Sequence, residues 1–291
     1  MSDDQKTYVP NPSPLLKVLR GLSKLIPGDY LRTAIYLGVI EKPRRILRLA
    51  LNTFYRMDHV YNVLREFRDN YRGKFSILEF GTSDGYAFTK MLYATRYLRM
   101  EDRVTVHTFD SFEGMPPAAD ARDLDLVGGD SWAPGEFRGR YAELLQYCRE
   151  RYSNFGIHKG YFEETLTSAF LESLHDAPPI LVWVDCDYYS SARTVMERLM
   201  PYLPNGCVLY FDEYDNMNFG SRFTGEARLV HEINHGVFGE QLELIRDRKM
   251  GLDSDRIYRF MNFGSSLRYA SAQTENSATV VHLRTNDSPL P

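Results

Sequence analysis

The stretch FSILEFGTSDG, residues 75–85, decides the fold that this sequence predicts. Its first six residues are mostly apolar and typical of a buried strand, which runs into a turn with glycines at Gly81 and Gly85. A helical pattern follows over residues 86–98. A strand, a glycine turn and a helix open many nucleotide-binding α/β domains, because glycine lets the backbone approach a ligand and the helix N-terminus offers free N–H groups. The alternative is an ordinary strand-to-helix turn.

The turn departs from the G-x-G-x-x-G pattern of dinucleotide sites, because Glu79 stands where the first glycine would lie. A carboxylate at this position would repel a pyrophosphate and attract a cation. S-adenosylmethionine carries an ammonium and a sulfonium group and no phosphate, so the pattern suits this cofactor better than NAD. The predicted cofactor contacts in and beside the turn are Glu79, Gly81, Thr82, Ser83 and Gly85.

The amino-acid composition limits the classes of protein to which the chain can belong. A chain of 291 residues with 43% hydrophobic and 25% charged residues is typical of a soluble globular protein. Its net charge of −4 gives no reason to expect nucleic acid as a partner, and no apolar run is long enough for a membrane span. Three cysteines match no metal or disulfide spacing, and the N-terminus lacks a secretion signal. These features predict a cytoplasmic, reduced protein.

The chain divides by composition into four parts. Residues 1–14 are polar and proline-rich and are predicted to form a disordered arm, and residues 265–291 a disordered tail. Residues 15–70 are predicted to be a helical N-terminal extension, and residues 71–264 the main domain. The basic character of residues 15–50 admits a membrane-surface helix, but packing on the domain or on a second subunit is favoured. The extension is therefore also a candidate homo-oligomer interface.

Strands and helices alternate through the main domain. After the first unit, strands are predicted at 103–110, 156–160, 180–187, 207–213, 242–247 and 256–263, and helices at 136–152, 163–174, 189–203 and 225–237. This order predicts a mostly parallel, doubly wound α/β sheet. The last two strands have no helix between them, which predicts an antiparallel edge hairpin. Residues 111–135 form a long loop that we interpret as a lid or binding loop.

Carboxylates stand at the carboxyl ends of four predicted strands, where ligands of such sheets bind. Asp110 ends the second strand, where a carboxylate can accept the two hydroxyls of an adenosine ribose. The alternative is a turn-forming aspartate before Ser111. Ser111 and Phe112 complete the predicted cofactor contacts on this loop.

Asp185, Asp212 and Glu213 follow neighbouring strands and are hard oxygen ligands. Together they are predicted to hold Mg²⁺ or a similar divalent cation, which would orient an acceptor hydroxyl and lower its pKa. The alternative is that these acids only cap helices or bind the cationic cofactor.

The acceptor pocket is harder to place from sequence. Asp185 and Tyr189 are the candidate catalytic residues, and Tyr188 is a second candidate for lining the pocket. Trp132 and Phe137 in the long loop are candidates for shaping it. His231 and His235 lie one helical turn apart, a spacing that can bind metal, but without a third ligand the pair is interpreted as a solvated face.

Six segments occur in an order that resembles a known family: ILEFGTSDGYAFTKML, TFDSFEGMP, GGDSW, KGYFEETL, VDCDYYSSA and VLYFDEY. They are similar to the macrocin O-methyltransferases, sugar O-methyltransferases of macrolide pathways. The resemblance implies a Rossmann-like class I S-adenosylmethionine-dependent methyltransferase fold and Mg²⁺-dependent transfer to a hydroxyl of a small molecule. It places Asp185, Asp212 and Glu213 at the metal, and adds Gly160 and Asp185 to the predicted cofactor contacts.

Two positions depart from the family pattern, since Glu213 replaces an aspartate and Cys186 replaces the glycine between Asp185 and Asp187. Two other functions stay open. An apolar strand ending in D-x-D also occurs in glycosyltransferases, where it holds a metal bound to a nucleotide sugar. A non-catalytic member of the methyltransferase fold is the third interpretation.

Overall fold

The computed structural model describes residues 57–124, 132–214, 221–251 and 255–271, and before them only positions 35, 38, 39, 42 and 43. The chain divides into two units, Met1–Arg56 and Met57–Pro291. The predicted N-terminal arm, most of the helical extension and residues 272–291 of the predicted tail lie outside the described residues. Within the described part, no helix has the length and apolar character needed to cross a lipid bilayer.

Seven strands form one mixed sheet in the second unit. They are β1 (Phe75–Phe80), β2 (Val104–Asp110), β3 (Phe155–Lys159), β4 (Pro179–Val184), β5 (Val208–Phe211), β6 (Leu242–Arg246) and β7 (Ile257–Asn262). Their order is β3-β2-β1-β4-β5-β7-β6, with parallel pairing from β3 to β5 and antiparallel pairing of β7 with both of its neighbours. The predicted mostly parallel sheet with an antiparallel edge hairpin is confirmed.

Seven α-helices among the described residues of the same unit connect and cover the strands. They are α1 (Asp58–Asn70), α2 (Tyr86–Tyr97), α3 (Tyr141–Arg151), α4 (Phe162–Thr165), α5 (Ser168–Ser173), α6 (Tyr189–Leu199) and α7 (Gly225–Asn234). Short 3₁₀ turns lie at Ala121–Asp123 and Met200–Tyr202. The helix α1 shows the expected amphipathic spacing, because Val60, Leu64 and Phe67 share its buried face.

The sheet separates two apolar cores, because successive side chains of a strand point to opposite faces. The helices α1, α2 and α3 cover one face, and α5, α6 and α7 cover the other. Neighbouring residues of the central strands therefore join different cores, with Ile77, Trp183 and Tyr210 on the first face and Leu78, Val182 and Leu209 on the second. A sheet covered on both faces leaves its carboxyl edge as the place for a ligand.

Two helices differ from the sequence prediction. The helix predicted from residue 136 begins at Tyr141, since the chain at Gly139 passes so close to the glycine turn that an added Cβ would lie 2.0 Å from the Ser83 carbonyl oxygen. The helix predicted over 163–174 is two short helices, because Thr167 accepts the Phe170 N–H at 3.2 Å and caps a new start.

The segment after the last strand is placed against the domain as far as Ser271. Tyr269 packs its ring on Phe67 and Phe75 and donates a hydrogen bond to the Pro179 carbonyl oxygen. The Arg72 N–H donates to the Ala270 carbonyl oxygen at 2.9 Å. Residues 265–271, the start of the predicted disordered tail, therefore contribute contacts to the first core.

A pair of histidines joins β2 to β3 and should make stability depend on pH. His107 Nδ1 lies 3.1 Å from His158 Nε2, and burial, followed by the charge of His158, lowers the pKa of His107 from 6.5 to about 4. The fold therefore favours the neutral ring, and this stabilisation is present above pH 6.5 and lost as pH falls towards 4. We expect the free energy of unfolding of the wild type, relative to His107→Gln, to fall between pH 7.5 and 4.5 in urea titrations.

The comparison between wild type and variant removes the contribution of the carboxyl groups that titrate over the same range. His175→Gln is the matched control, because His175 is exposed and its ring contacts only surface groups in the described chain. A pH-independent difference between wild type and His107→Gln would contradict the prediction.

Candidate active site

A cavity of about 460 Å³ opens at the carboxyl edge of the sheet, beside the ends of β1 and β4. The chain order reverses between these two strands, which is where open α/β sheets bind ligands. Of the predicted cofactor residues, Gly81, Thr82, Ser83, Asp110, Ser111, Gly160 and Asp185 line it. The other three, Glu79, Gly85 and Phe112, are buried beside it and are not among the lining residues.

The glycine turn is forced close to the neighbouring strand. Gly81 has a φ of 95°, and an added Cβ would lie 1.7 Å from the Asp185 carbonyl oxygen. Gly85 has a φ of 79° at the start of α2, where a Cβ would meet Leu144 at 2.5 Å. Only glycine fits both the positive φ and the missing space. The turn therefore brings its backbone, rather than side chains, against the end of β4.

Asp110 holds this turn. Its Oδ2 accepts the N–H groups of Thr82 and Ser83 at 2.7 and 2.9 Å, and its Oδ1 accepts the Phe112 N–H at 2.5 Å. Asp110 thus makes the backbone hydrogen bonds that the turn-forming interpretation predicts. An ionised carboxylate offers about four acceptor positions, and Asp110 also lines the cavity. Binding of ribose hydroxyls by the same group stays a prediction.

Glu79 lies beneath the turn and is 1% exposed. Its Oε2 accepts the Thr108 hydroxyl, which in turn contacts the Thr82 hydroxyl. Burial, with a contribution from the charge of Asp110, raises the pKa of Glu79 to about 8, and the hydrogen bond from Thr108 opposes this shift. A carboxyl held this way favours a cationic neighbour, since a positive charge would restore its ionised form.

The three predicted metal ligands are brought together. One carboxylate oxygen from each of Asp185, Asp212 and Glu213 lies within 4.8 Å of the other two. Burial, and then the charge of Asp212, raises the pKa of Asp185 well above its ordinary value. Three hard oxygen donors at this spacing fit a divalent cation such as Mg²⁺, whose charge would offset their mutual repulsion.

Two further acids belong to this region, and the sequence analysis gave them no role. Asp187 lines the cavity, and burial, with the charges of Glu213 and Asp212, raises its pKa to about 8. Glu226 on α7 is fully buried, and its Oε2 accepts the Glu213 N–H at 3.0 Å. Asp187 was visible as the second acid of D-x-D. No sequence pattern pointed to Glu226, because only the fold brings α7 to the end of β5.

The residues expected at the acceptor pocket divide between the cavity and the protein interior. Trp132 and Phe137 line the cavity and pack edge to face at 5.1 Å. Tyr188 is buried, with its hydroxyl 3.5 Å from the Trp132 carbonyl oxygen. The ring centroids of His231 and His235 lie 3.8 Å apart at the C-terminal end of α7, and neither residue lines the cavity.

Tyr189 is placed among charged groups away from the cavity lining. Its hydroxyl donates to Glu232 Oε2 at 2.6 Å and accepts from Arg122 and Arg193 at 2.8 and 3.0 Å. Arg122 also lies over its ring, 4.1 Å from the centroid. The tyrosine therefore ties the loop that follows β2 to α6 and α7, and a catalytic role for it stays a prediction.

Asp123 makes the second attachment of this loop. It is fully buried, and its carboxylate accepts the N–H and the hydroxyl of Ser190 at 2.8 and 2.9 Å, together with the N–H groups of Ala119 and Asp120. An acid here also complements the positive N-terminus of α6. Part of the same loop, Met115, Pro116, Pro117 and Ala119, forms one wall of the cavity. Asp123 thus helps to hold this wall against α6.

Removing that carboxylate should loosen the wall. We expect Asp123→Ala to lower the free energy of unfolding by about 1–3 kcal/mol, because the Ser190 N–H loses its acceptor. We also expect trypsin to cleave after Arg122 faster than in the wild type, measured by limited proteolysis and mass spectrometry. Asp176→Ala, at an exposed aspartate, is the control. An unchanged cleavage rate after Arg122 would show that the loop does not depend on Asp123.

Comparison with known proteins agrees with this geometry. Residues 78–214 match the model of a family described as a methyltransferase domain. With its sheet order, the chain has the Rossmann-like class I fold of S-adenosylmethionine-dependent methyltransferases. The fold prediction is confirmed, and the fold implies S-adenosylmethionine as the cofactor.

Several solved structures are similar to the chain. The calicheamicin methyltransferase CalS11 matches at 21% identity and a TM-score of 0.44, over 91% of this chain and 98% of its own. The O-methyltransferase NovP matches at 19% identity and a TM-score of 0.48, over 71% and 79%. The mycinamycin-pathway methyltransferase MycE, in complex with Mg, SAH and mycinamycin VI, matches at 15% and 0.35, over 74% and 50%. A search of curated proteins gives no match.

Proposed function

We propose that the protein is an S-adenosylmethionine-dependent O-methyltransferase that methylates a hydroxyl of a small molecule with the help of a divalent cation. The observation that carries this proposal is the placement of the Asp185–Asp212–Glu213 cluster next to the glycine turn, with Asp185 and Glu213 both lining the same cavity. A cofactor at the turn and a hydroxyl at the acids would then lie side by side. The ordered motifs that resemble macrocin O-methyltransferases support a sugar or natural-product acceptor.

The described residues fit both S-adenosylmethionine and a divalent cation. The glycine turn and Asp110 border one part of the cavity, and the buried carboxyl groups of Glu79 and Asp185 favour the positive charges of S-adenosylmethionine. A bound Mg²⁺ would lower the pKa of an acceptor hydroxyl and help to align it. Asp185, Asp212 and Glu213 would hold that ion.

We assign Asp187 as the general base that accepts the proton of the acceptor hydroxyl. Methyl transfer breaks the bond between the sulfonium sulfur and the methyl carbon, forms a carbon–oxygen bond and leaves a neutral thioether. The hydroxyl proton must leave the acceptor oxygen, and Asp187 lines the cavity next to the metal cluster, where a bound cation would favour its ionised form. Trp132 and Phe137 would pack on the acceptor and exclude water from the reacting oxygen.

Calorimetric titration tests the cofactor. We expect S-adenosylmethionine and its demethylated product to bind the wild type, and Asp110→Asn to weaken binding by ~10–100-fold, the cost of a lost hydrogen bond to a charged group. Asp84→Asn, at an exposed aspartate of the same turn, is the matched control. Thermal unfolding of each variant separates loss of binding from loss of the turn. Binding of UDP-glucose in place of S-adenosylmethionine would favour the glycosyltransferase interpretation.

Turnover tests the assignment of Asp187. With any hydroxylated acceptor that the wild type methylates in the presence of Mg²⁺, we expect Asp187→Asn to slow product formation by ~10²–10⁴-fold, the usual contribution of a general base. Binding of S-adenosylmethionine should stay unchanged. Asp176→Asn should behave as the wild type. Full activity of Asp187→Asn would contradict the assignment, and a wild type that binds the cofactor but methylates no acceptor in a broad panel would favour a non-catalytic member of the fold.

A further inference from the structure

Two aromatic residues lie directly beneath two of the clustered acids. Trp183 on β4 is paired with Tyr210 on β5 in the parallel register, and Asp185 and Asp212 each follow two residues later. Residues two apart along a strand point to the same face of the sheet. Each acid therefore lies above an aromatic donor on its own strand, on the face that α1 covers.

Each aromatic residue donates one hydrogen bond to the acid above it. Trp183 Nε1–H donates to Asp185 Oδ2 at 3.2 Å, and the Tyr210 hydroxyl donates to Asp212 Oδ1 at 2.9 Å. A carboxylate on a short side chain can still rotate about its last bond, and one such hydrogen bond limits that rotation. The two donors thus help to fix the direction in which the two carboxylates present their oxygens, together with Arg256, whose Nη1 lies 3.7 Å from the same Asp212 oxygen.

The two donors belong to a buried aromatic cluster, which restricts their movement. The rings of Trp183 and Tyr210 lie 4.2 Å apart, and His59 of α1 stacks on Tyr210 at 4.3 Å and on Trp183 at 5.1 Å. The three side chains are 2% exposed or less. Neither ring nitrogen of His59 has a hydrogen-bond partner among the described residues, so the contact of His59 with this stack is one of packing.

We propose that Trp183 and Tyr210 are positioning residues of the cation site, which set its affinity by fixing Asp185 and Asp212 through one hydrogen bond each. The inference rests on the proposed divalent cation. It assigns a role to Trp183, which precedes Asp185 by two positions, and to Tyr210, which precedes Asp212 by two positions. The stack of His59 makes the arrangement rigid, so loss of one donor is not compensated by rotation of the other ring.

The test measures cation binding directly and uses Mn²⁺ as the probe. Tyr210→Phe and Trp183→Phe keep a ring in the stack and remove the donor. We expect each substitution to weaken Mn²⁺ binding about 10-fold, which lies within the range of 10–100-fold for lost outer contacts to metal ligands. Binding is measured by electron paramagnetic resonance of the free ion. Tyr258→Phe is the matched control, because Tyr258 is a buried tyrosine on the neighbouring strand β7 whose hydroxyl contacts Arg246.

A second measurement of Mn²⁺ binding uses the fluorescence of Trp183 and leaves the metal ligands unchanged. The chain has two tryptophans, Trp132 and Trp183, so Trp132→Phe leaves Trp183 as the single emitter. Mn²⁺ held by Asp185 would quench the emission of Trp183, and the quenching should saturate with the dissociation constant obtained by resonance. Thermal unfolding of every variant is recorded in parallel, since a merely structural role would lower the melting temperature and leave Mn²⁺ affinity unchanged.

The outcomes separate this inference from the proposed function. Wild-type affinity for Mn²⁺ in folded Tyr210→Phe and Trp183→Phe would overturn the positioning role and leave the cation site standing. No Mn²⁺ binding by the wild type would overturn the cation itself, and with it this inference. If Trp183→Phe fails to fold, Tyr210→Phe, which loses a single oxygen atom, decides the question alone.

Discussion

The structure depends on negative charge that is buried at one edge of the sheet. Asp185, Asp187, Asp212, Glu213 and Glu226 all lie at or behind the cavity and are buried or nearly so. An ionised carboxylate taken out of water costs several kcal/mol unless it is paired, hydrogen-bonded or protonated. The fold supplies some compensation, through the donors Trp183 and Tyr210 and through the N–H group of Glu213. The raised pKa values of Asp185, Asp187 and Glu226 indicate that this compensation is partial, so a cation fits the cluster.

The same constraint explains how the neighbouring elements are arranged. The turn at Gly81 passes against the Asp185 carbonyl, so the glycine turn and the acids lie side by side at the cavity. The loop at Asp123 is attached to α6, and its residues Met115 and Pro116 line the same cavity. Electrostatic interactions are stronger beside such partly buried walls than in bulk water, because the local dielectric is lower. The buried walls and the clustered acids thus both favour a positively charged ligand.

The fold and the acids at the strand ends could be predicted from sequence, since both follow from local patterns. Apolar runs gave the strands, and their order placed Asp110, Asp185 and Asp212 at one edge. What could not be predicted depends on contacts between distant residues. Glu226 lies 13 positions after Glu213, and Asp123 reaches Ser190 across 67 positions. The late start of α3 follows from the close approach of Gly139 to the glycine turn, which no local pattern announces.

The two departures from the family pattern have different structural consequences. In the segment Asp185–Asp187, the left-handed backbone lies at Asp187, with a φ of 60°, and not at Cys186. Aspartate tolerates that conformation better than most residues, and the position of the family's glycine requires no positive φ in this chain. Cys186 is therefore compatible with the turn. Glu213 is one methylene longer than aspartate, and its backbone is held by Glu226 on α7, so the longer side chain reaches the cluster from a fixed starting point.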